Sequence, residues 1–215
     1  MIKKWLLTIW VLCCVFQSCS EKTPSEPAPT FFDIQGENGF VGSVQGTDAF
    51  VSILAGESEA VAYVCNGDEK ISEWFKGAVN DPTVINLNND NGALLSAYFT
   101  DGVFQGDIKL SSGITHAFQA DPATTAEAGI YRVIDDNTTT AQIDAGWVLL
   151  SSGEERGAFR MNSAFQATPA LPKTAVPAGQ NSFSVFHFRL QPPGPTQPIP
   201  IPFPHFPFPT EPEKP

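Results

Sequence analysis

Turn signals recur along this chain at a spacing that suits short antiparallel strands and little else. Asn91-Gly92, Asp101-Gly102 and Ser112-Gly113 follow one another at steps of ten and eleven residues. Asn-Gly and Asp-Gly next to an apolar run are strong hairpin signals, because tight hairpin turns need positive φ. Such steps are those of an antiparallel meander.

The runs between the turns read as strands. Phe50 to Leu54, Ala60 to Val64, Leu94 to Thr100, Val103 to Leu110, Ile114 to Ala120 and Trp147 to Leu150 each end at a turn signal. Ile108 and Leu110 flank Lys109, so one face of that run is apolar. Asp68 to Lys76 has helix formers but reads better as a strand. Ser182 to Leu190 reads as a last strand that returns to the sheet and completes it. Gly77, Gly106, Gly129, Gly146 and Gly157 sit inside these runs, where glycine marks bends or bulges. A bending sheet closes its own edges. The expected fold is all-β: an antiparallel meander of about eight to ten strands, closed into a barrel or strongly coiled. A β-sandwich is the second expectation.

Proline sets the boundaries. Of 19 prolines, three fall in 21–30 and eleven in 192–215, while 31–168 holds Pro82 and Pro122 alone. Residues 31–190 are therefore expected to fold as one β domain. A stalk over 19–30 precedes it, and a proline-rich tail over 191–215 follows. The tail alternates proline with Ile199, Ile201, Phe203, Phe206 and Phe208. Such a segment favours polyproline II and suits docking into an aromatic groove of a protein partner. Its packing on its own domain is the alternative.

The first residues form a leader. Lys3 and Lys4 precede a twelve-residue run, Trp5 to Phe16, that is apolar but for Thr8, and polarity returns at Gln17. That is the pattern of a secretory signal, and the run is too short to cross a bilayer core needing about 20 residues. Phe16-Gln17-Ser18-Cys19 resembles a bacterial lipobox, with Ser18 and Cys19 at the small residue and the cysteine. The resemblance implies a signal over 1–18, cleavage before Cys19 and lipidation of its sulfur. Several acyl chains, at about 0.8 kcal/mol per buried methylene, would then hold the chain to a membrane. The implied address is the cell envelope, on the periplasmic or surface face of an outer membrane. Plain secretion after cleavage at Ser20 is the alternative.

Composition narrows the partners. There are 12 Lys and Arg against 23 Asp and Glu, a net charge of −11. No basic cluster interrupts it, so nucleic acid is excluded as a partner. Charged residues make up 16% of the chain, and Ser, Thr, Asn, Gln and Gly cover much of the surface instead. Four cysteines occur, of which Cys13 and Cys14 lie in the leader and Cys19 at its end. Cys65 is then alone, so no internal disulfide holds the fold. It is expected to be a buried, inert thiol.

The middle of the chain resembles an uncharacterised exported domain of bacterial surface proteins. The shared elements are Ala62-Tyr63-Val64-Cys65-Asn66-Gly67, Glu73-Trp74-Phe75-Lys76-Gly77, Gly129-Ile130-Tyr131-Arg132, Gly146-Trp147-Val148-Leu149 and Arg156-Gly157. The resemblance implies an exported bacterial β domain and transfers no activity. Within those elements Trp74, Tyr131 and Trp147 are large rings beside glycines, and Arg132 and Arg156 could grip an anion bidentately. Together they form the candidate ligand site, placed at the mouth of the expected barrel. The alternative is that the rings anchor the core and the arginines pair with carboxylates.

Chemistry-bearing motifs are otherwise weak. Gly-x-Ser-x-Gly, His-Glu-x-x-His and Cys-x-x-Cys do not occur. His116, His187 and His205 are scattered. Asn86 to Gly92 is similar to a calcium loop but has Ala97 where the bidentate Glu belongs. Asp135-Asp136-Asn137 reads as a loop, and Glu154-Glu155 as a solvated turn tip. No catalytic residue, metal site or cofactor is expected. The expectation is a lipid-anchored accessory or interaction protein without catalysis. A small-ligand carrier is the alternative.

Overall fold

The computed structural model describes residues 39–134, 143–171, 184–191 and 194–200. The leader with Cys19, the stalk, the Asp135–Asn137 loop, His205 and the tail beyond Pro200 lie outside the described residues. Eight strands close an antiparallel barrel in sequence order: β1 (Phe40–Val44), β2 (Phe50–Ala55), β3 (Glu59–Asn66), β4 (Ile71–Ala78), β5 (Val84–Asn88), β6 (Leu94–Thr100), β7 (Val103–Lys109) and β8 (Thr115–Pro122). Closure comes from β1 pairing with β8 over Phe40↔Pro122 to Val44↔Phe118. The segment from Asp68 to Lys76 is a turn followed by strand β4, with no helix.

Local chemistry explains the meander. Asp101 and Gly102 both have positive φ, 51° and 86°, so β6 and β7 are joined by the two-residue turn that suits twisted strands. Gly106 sits where a Cβ would collide with the Ser96 carbonyl, so neighbouring strands crowd there as the sheet curls. Gly77 on β4 similarly faces the Asn86 carbonyl, 2.9 Å from an added Cβ. This is the thinnest seam of the barrel, where β4 and β5 pair in register at Lys76↔Asn88.

The interior is solid. Phe40, Phe99 and Phe104 meet edge to face, with centroids 4.8–5.9 Å apart. Val51, Ile53, Phe75, Ile85, Leu87, Leu95 and Ile108 complete the fill. An eight-stranded barrel has an interior just wide enough for side chains to occupy. One acid joins this core. Glu73 is 7% exposed, between Ile71 and Phe75 on the inward side of β4. Asn89 Nδ2 donates to its Oε2 at 2.7 Å, and Ser111 donates to Oε1 through its backbone N at 3.3 Å and its hydroxyl. The carboxylate thus ties the β5–β6 and β7–β8 turns across one end of the barrel.

A second sheet was not expected. Its order is β12 (Ala164–Gln166), β11 (Glu155–Met161), β10 (Ile143–Leu149), β9 (Gly129–Ile134), β13 (Ser184–Gln191) and β14 (Gly194–Pro200). The final strand therefore does not complete the barrel. It pairs with β9 over Ser184↔Ile134 to Phe188↔Ile130. Part of the proline-rich tail is also a strand, and it lies at the sheet's edge. Pro198 and Pro200 are two residues apart and so share one phase of the β13–β14 ladder. Lacking N–H groups, they fit where their nitrogens point away from β13. Two positions of that outer edge thereby offer no donor, which weakens pairing with another chain.

This sheet lies against the outside of β1–β3. Val41, Phe50, Leu54, Tyr63 and Cys65 from the barrel pack with Ile130, Val148 and Ala158 from the sheet. Strand β2 is buried at every position, because one side faces the barrel core and the other faces the sheet. Strands β5 and β6 alternate between buried and exposed, so their outer face meets solvent.

Replacing Glu73 with Ala should destabilise the protein by about 1–3 kcal/mol, since three donors lose their acceptor. Glu73→Gln should cost less, because an amide oxygen still accepts. Urea denaturation of the two variants against the parent chain checks the order.

Candidate functional site

The five sequence-derived residues do not line a barrel mouth. They lie on or beside the junction of the second sheet with the barrel, and they divide into three places: Tyr131 with Trp147, Trp74 with Arg132, and Arg156. Tyr131 and Trp147 are register partners on β9 and β10. Both belong to a third cluster on the sheet face away from the barrel, with Val133, Ala145, Leu149, Phe159 and Leu171. They are 3% and 1% exposed. Tyr131 donates its hydroxyl to the Glu127 carbonyl at 2.5 Å, and Trp147 Nε1 donates to the Pro169 carbonyl at 2.9 Å. These two rings are core anchors.

Trp74 and Arg132 meet at the barrel-facing side. Trp74 stacks on Tyr63, with centroids 4.0 Å apart and planes at 22°. The Arg132 guanidinium lies over the indole at 4.5 Å. Gly146 makes this stack possible, since a Cβ there would sit 2.7 Å from the Tyr63 ring and 2.9 Å from Trp74. Gly157 similarly yields its space to the Trp147 indole. These two glycines make room for rings rather than bends. Tyr63 is completely buried, and its hydroxyl meets Ser72 Oγ at 3.1 Å and the Gly146 carbonyl at 3.4 Å. Burial, with the nearby Cys65 adding to it, pushes its phenol well above the ordinary range. Arg160 pairs with Asp144 on the neighbouring strand, the ion pair found among the described residues.

Arg156 stands apart from that stack. Its Nε donates to the Asp48 carbonyl at 3.1 Å, one terminal nitrogen donates to the Glu155 carbonyl at 2.8 Å, and its guanidinium covers the Phe50 ring at 4.8 Å. It thus braces the β1–β2 turn against β11 and uses no carboxylate partner. Beside it opens a cleft of about 400 Å3, bounded by Asp48 on the β1–β2 turn, Asn66 to Glu69 on the β3–β4 turn, Trp147 on β10, Glu155 to Gly157 on β11, and Thr168 to Ala170, so that Trp147 and Arg156 of the five line one cleft.

The strand lengths explain the cleft. β12 pairs with β11 at Phe159 to Met161 alone. The Glu155–Gly157 end of β11 therefore keeps an open edge. The β3–β4 turn docks there, with Gly67 N donating to the Gly157 carbonyl at 2.7 Å. Asn66-Gly67 accordingly serves as a docking point as well as the start of a turn, and Asn66 Oδ1 accepts from Asp68 N at 3.1 Å.

Four carboxylates, Asp48, Asp68, Glu69 and Glu155, share this cleft with one guanidinium. Glu155 was expected at a solvated tip. It is half-buried instead, and its Oε1 accepts from Leu171 N at 2.9 Å. Its Oε2 and the Thr168 hydroxyl oxygen are buried without a hydrogen-bond partner. Such a lining accepts hydrogen bonds and positive charge and repels anions. Sequence spacing held no trace of it, because the four acids come from three segments that pairing alone brings together. Among the described residues no three His, Cys, Asp or Glu side chains converge to hold a metal ion.

Cys65 lies on the barrel side of this junction. Its thiol is buried and donates to the Arg156 carbonyl at 3.2 Å. Burial pushes its pKa far above the usual thiol range. Cys65 should stay unmodified by iodoacetamide at pH 8 in the folded protein and react once urea unfolds it, as read by peptide mass mapping. Trp147→Ala should cost about 3–5 kcal/mol of stability, the range for removing a large buried aromatic. Thermal melting checks it, and an unchanged melting temperature would mean that the ring is not a core anchor. In comparisons with known proteins, no family model, no curated protein and no solved structure matches this chain.

Proposed function

We propose that this chain is a lipid-anchored protein of the cell envelope with a binding or accessory role and no catalysis. The anchor reading rests on Lys3-Lys4, the apolar run Trp5 to Phe16, and Cys19. The observation that most favours a binding role is the filled barrel backed by a second sheet. Its interior is occupied by Phe40, Phe99, Phe104 and their neighbours. The barrel then acts as a rigid support, and recognition belongs to its outside. Partners would be the membrane, through the lipid on Cys19, and a protein reached by the tail.

A second reading, small-ligand binding, is favoured by the cleft beside Arg156. It replaces the barrel mouth as the place for a ligand.

Cys19→Ser should lose radiolabelled palmitate and move the protein from the membrane fraction to the soluble one. Persistence in the membrane with the label intact would overturn the anchor. Tail binding is best tested by removing 201–215 and repeating a pull-down, because a cut at 192 would also strip β14 from the sheet.

A further inference from the structure

Asn-Gly is a chemically labile pair, because glycine has no side chain to screen its backbone nitrogen from the asparagine amide. The pair occurs three times, at Asn38-Gly39, Asn66-Gly67 and Asn91-Gly92. Asn38 lies outside the described residues. The fold treats the other two in opposite ways.

Asn66 is 4% exposed, and its Oδ1 accepts from Asp68 N at 3.1 Å. Gly67 N donates to the Gly157 carbonyl at 2.7 Å, and a Cβ on Gly67 would collide with the Thr168 side chain. The joint between barrel and second sheet thus holds both reacting groups, the amide and the nitrogen. Asn91 and Gly92 are exposed on the β5–β6 turn. The Asn91 side chain takes part in no described hydrogen bond. Gly92 N donates to the Asn89 carbonyl at 3.3 Å, a long bond for an N–H donor. Gly92 has a φ of 80°, and a Cβ added there would meet nothing within 4 Å. This turn has room for the side chain to swing and for a ring to form.

We infer that Asn91 is a site of spontaneous deamidation, and that its isoaspartyl product loosens the Glu73 clamp at that end of the barrel. Gly92 N attacks Asn91 Cγ and gives up its proton. The bond from Cγ to the amide nitrogen breaks, and ammonia leaves with that proton. Water then opens the cyclic imide. Cleavage between Gly92 N and Cγ yields aspartate. Cleavage between Gly92 N and the Asn91 carbonyl carbon yields isoaspartate, whose main chain runs through Cβ and Cγ and is one carbon longer. Either product adds a negative charge.

Asn89 links this turn to the barrel interior. Its Oδ1 accepts from Asn91 N at 3.0 Å and from Ala93 N at 2.9 Å, while its Nδ2 donates to Glu73 Oε2 at 2.7 Å. The extra carbon falls between those two backbone donors, so both cannot keep their places on one oxygen. A displaced Asn89 side chain then releases Glu73. The inference goes beyond the binding role proposed above and rests on neither the lipid anchor nor the cleft.

The test incubates the full processed protein, in detergent, at 37 °C and pH 8, beside the same protein in urea. Digestion and fragment mass spectrometry locate each amide that has become an acid. In the folded protein Asn91 should convert at least about tenfold faster than Asn66, which waits for local opening of the β3–β4 turn. In urea the two should convert at similar rates. Asn91→Gln should remove the conversion at that position, because glutamine would need a larger ring. The isoaspartyl fraction, separated by its charge, should melt below the parent and exchange its amide hydrogens from Asn89 to Leu94 faster. Asn91→Asp carries the same charge without the longer backbone and should melt with the parent.

Equal rates at Asn66 and Asn91 in the folded protein would overturn the site. So would an intact Asn91 in the folded protein while the chain in urea converts. An isoaspartyl fraction that melts and exchanges like the parent would overturn the link to Glu73, as would an Asn91→Asp variant that melts as low as that fraction.

Discussion

The apolar contact between the outside of β1–β3 and the inside of the second sheet organises this protein. Leu54, Tyr63 and Cys65 on one side meet Ile130, Val148 and Ala158 on the other. Each fully buried large aliphatic or aromatic side chain contributes about 1.5–3 kcal/mol, so such an interface outweighs any single polar contact near it. It also forces the details around it. Gly146 must lack a Cβ for Tyr63 and Trp74 to stack, and the Tyr63 hydroxyl, once buried, must find Ser72 and the Gly146 carbonyl. A phenol or an amide buried without a partner would cancel part of that gain.

The same contact determines where recognition is possible. An eight-stranded barrel without ligand could hold a small guest if its interior were lined by small residues. Here three phenylalanines and a ring of branched side chains fill it, and Glu73 ties the turns across one end. One concave surface outside the barrel arises where two structures of different length meet, and another of about 560 Å3 lies between β1, the end of β8 and the β10–β11 turn. The short β12 leaves half of β11 uncovered, the β3–β4 turn docks on that half, and the remaining gap is the acidic cleft. Arg156 belongs to this joint as a brace, which is why a guanidinium surrounded by acids makes no ion pair with them.

Six of the eight barrel strands and the meander were legible in the chain, because hairpin chemistry is local, while β1 and β5 were not foreseen. Asp101-Gly102 dictates its turn whatever the rest of the fold does. A further signal was present in the pattern. Phe50 to Ala55 and Ala60 to Cys65 are apolar almost without alternation, whereas Ile85 to Asn88 alternates between apolar and polar residues. A strand covered on both faces needs apolar residues at both parities, and a strand with one wet face does not. The contrast marked the covered flank of the barrel, and with it the presence of a second layer.

The sequence by itself determined the all-β class, the antiparallel meander of most barrel strands and the burial of Cys65. These depend on turn residues, period-two patterning and cysteine count, all readable within a dozen positions. The tertiary structure decided that Trp147–Leu149 and the last strands form a separate sheet, that Tyr131 and Trp147 are core while Trp74 and Arg132 stack, and that Glu155 faces a cleft. Those outcomes depend on which distant strands pair and which faces meet. Asp48 and Glu155 come together across more than a hundred residues, and no local rule of spacing encodes a contact made by packing two sheets.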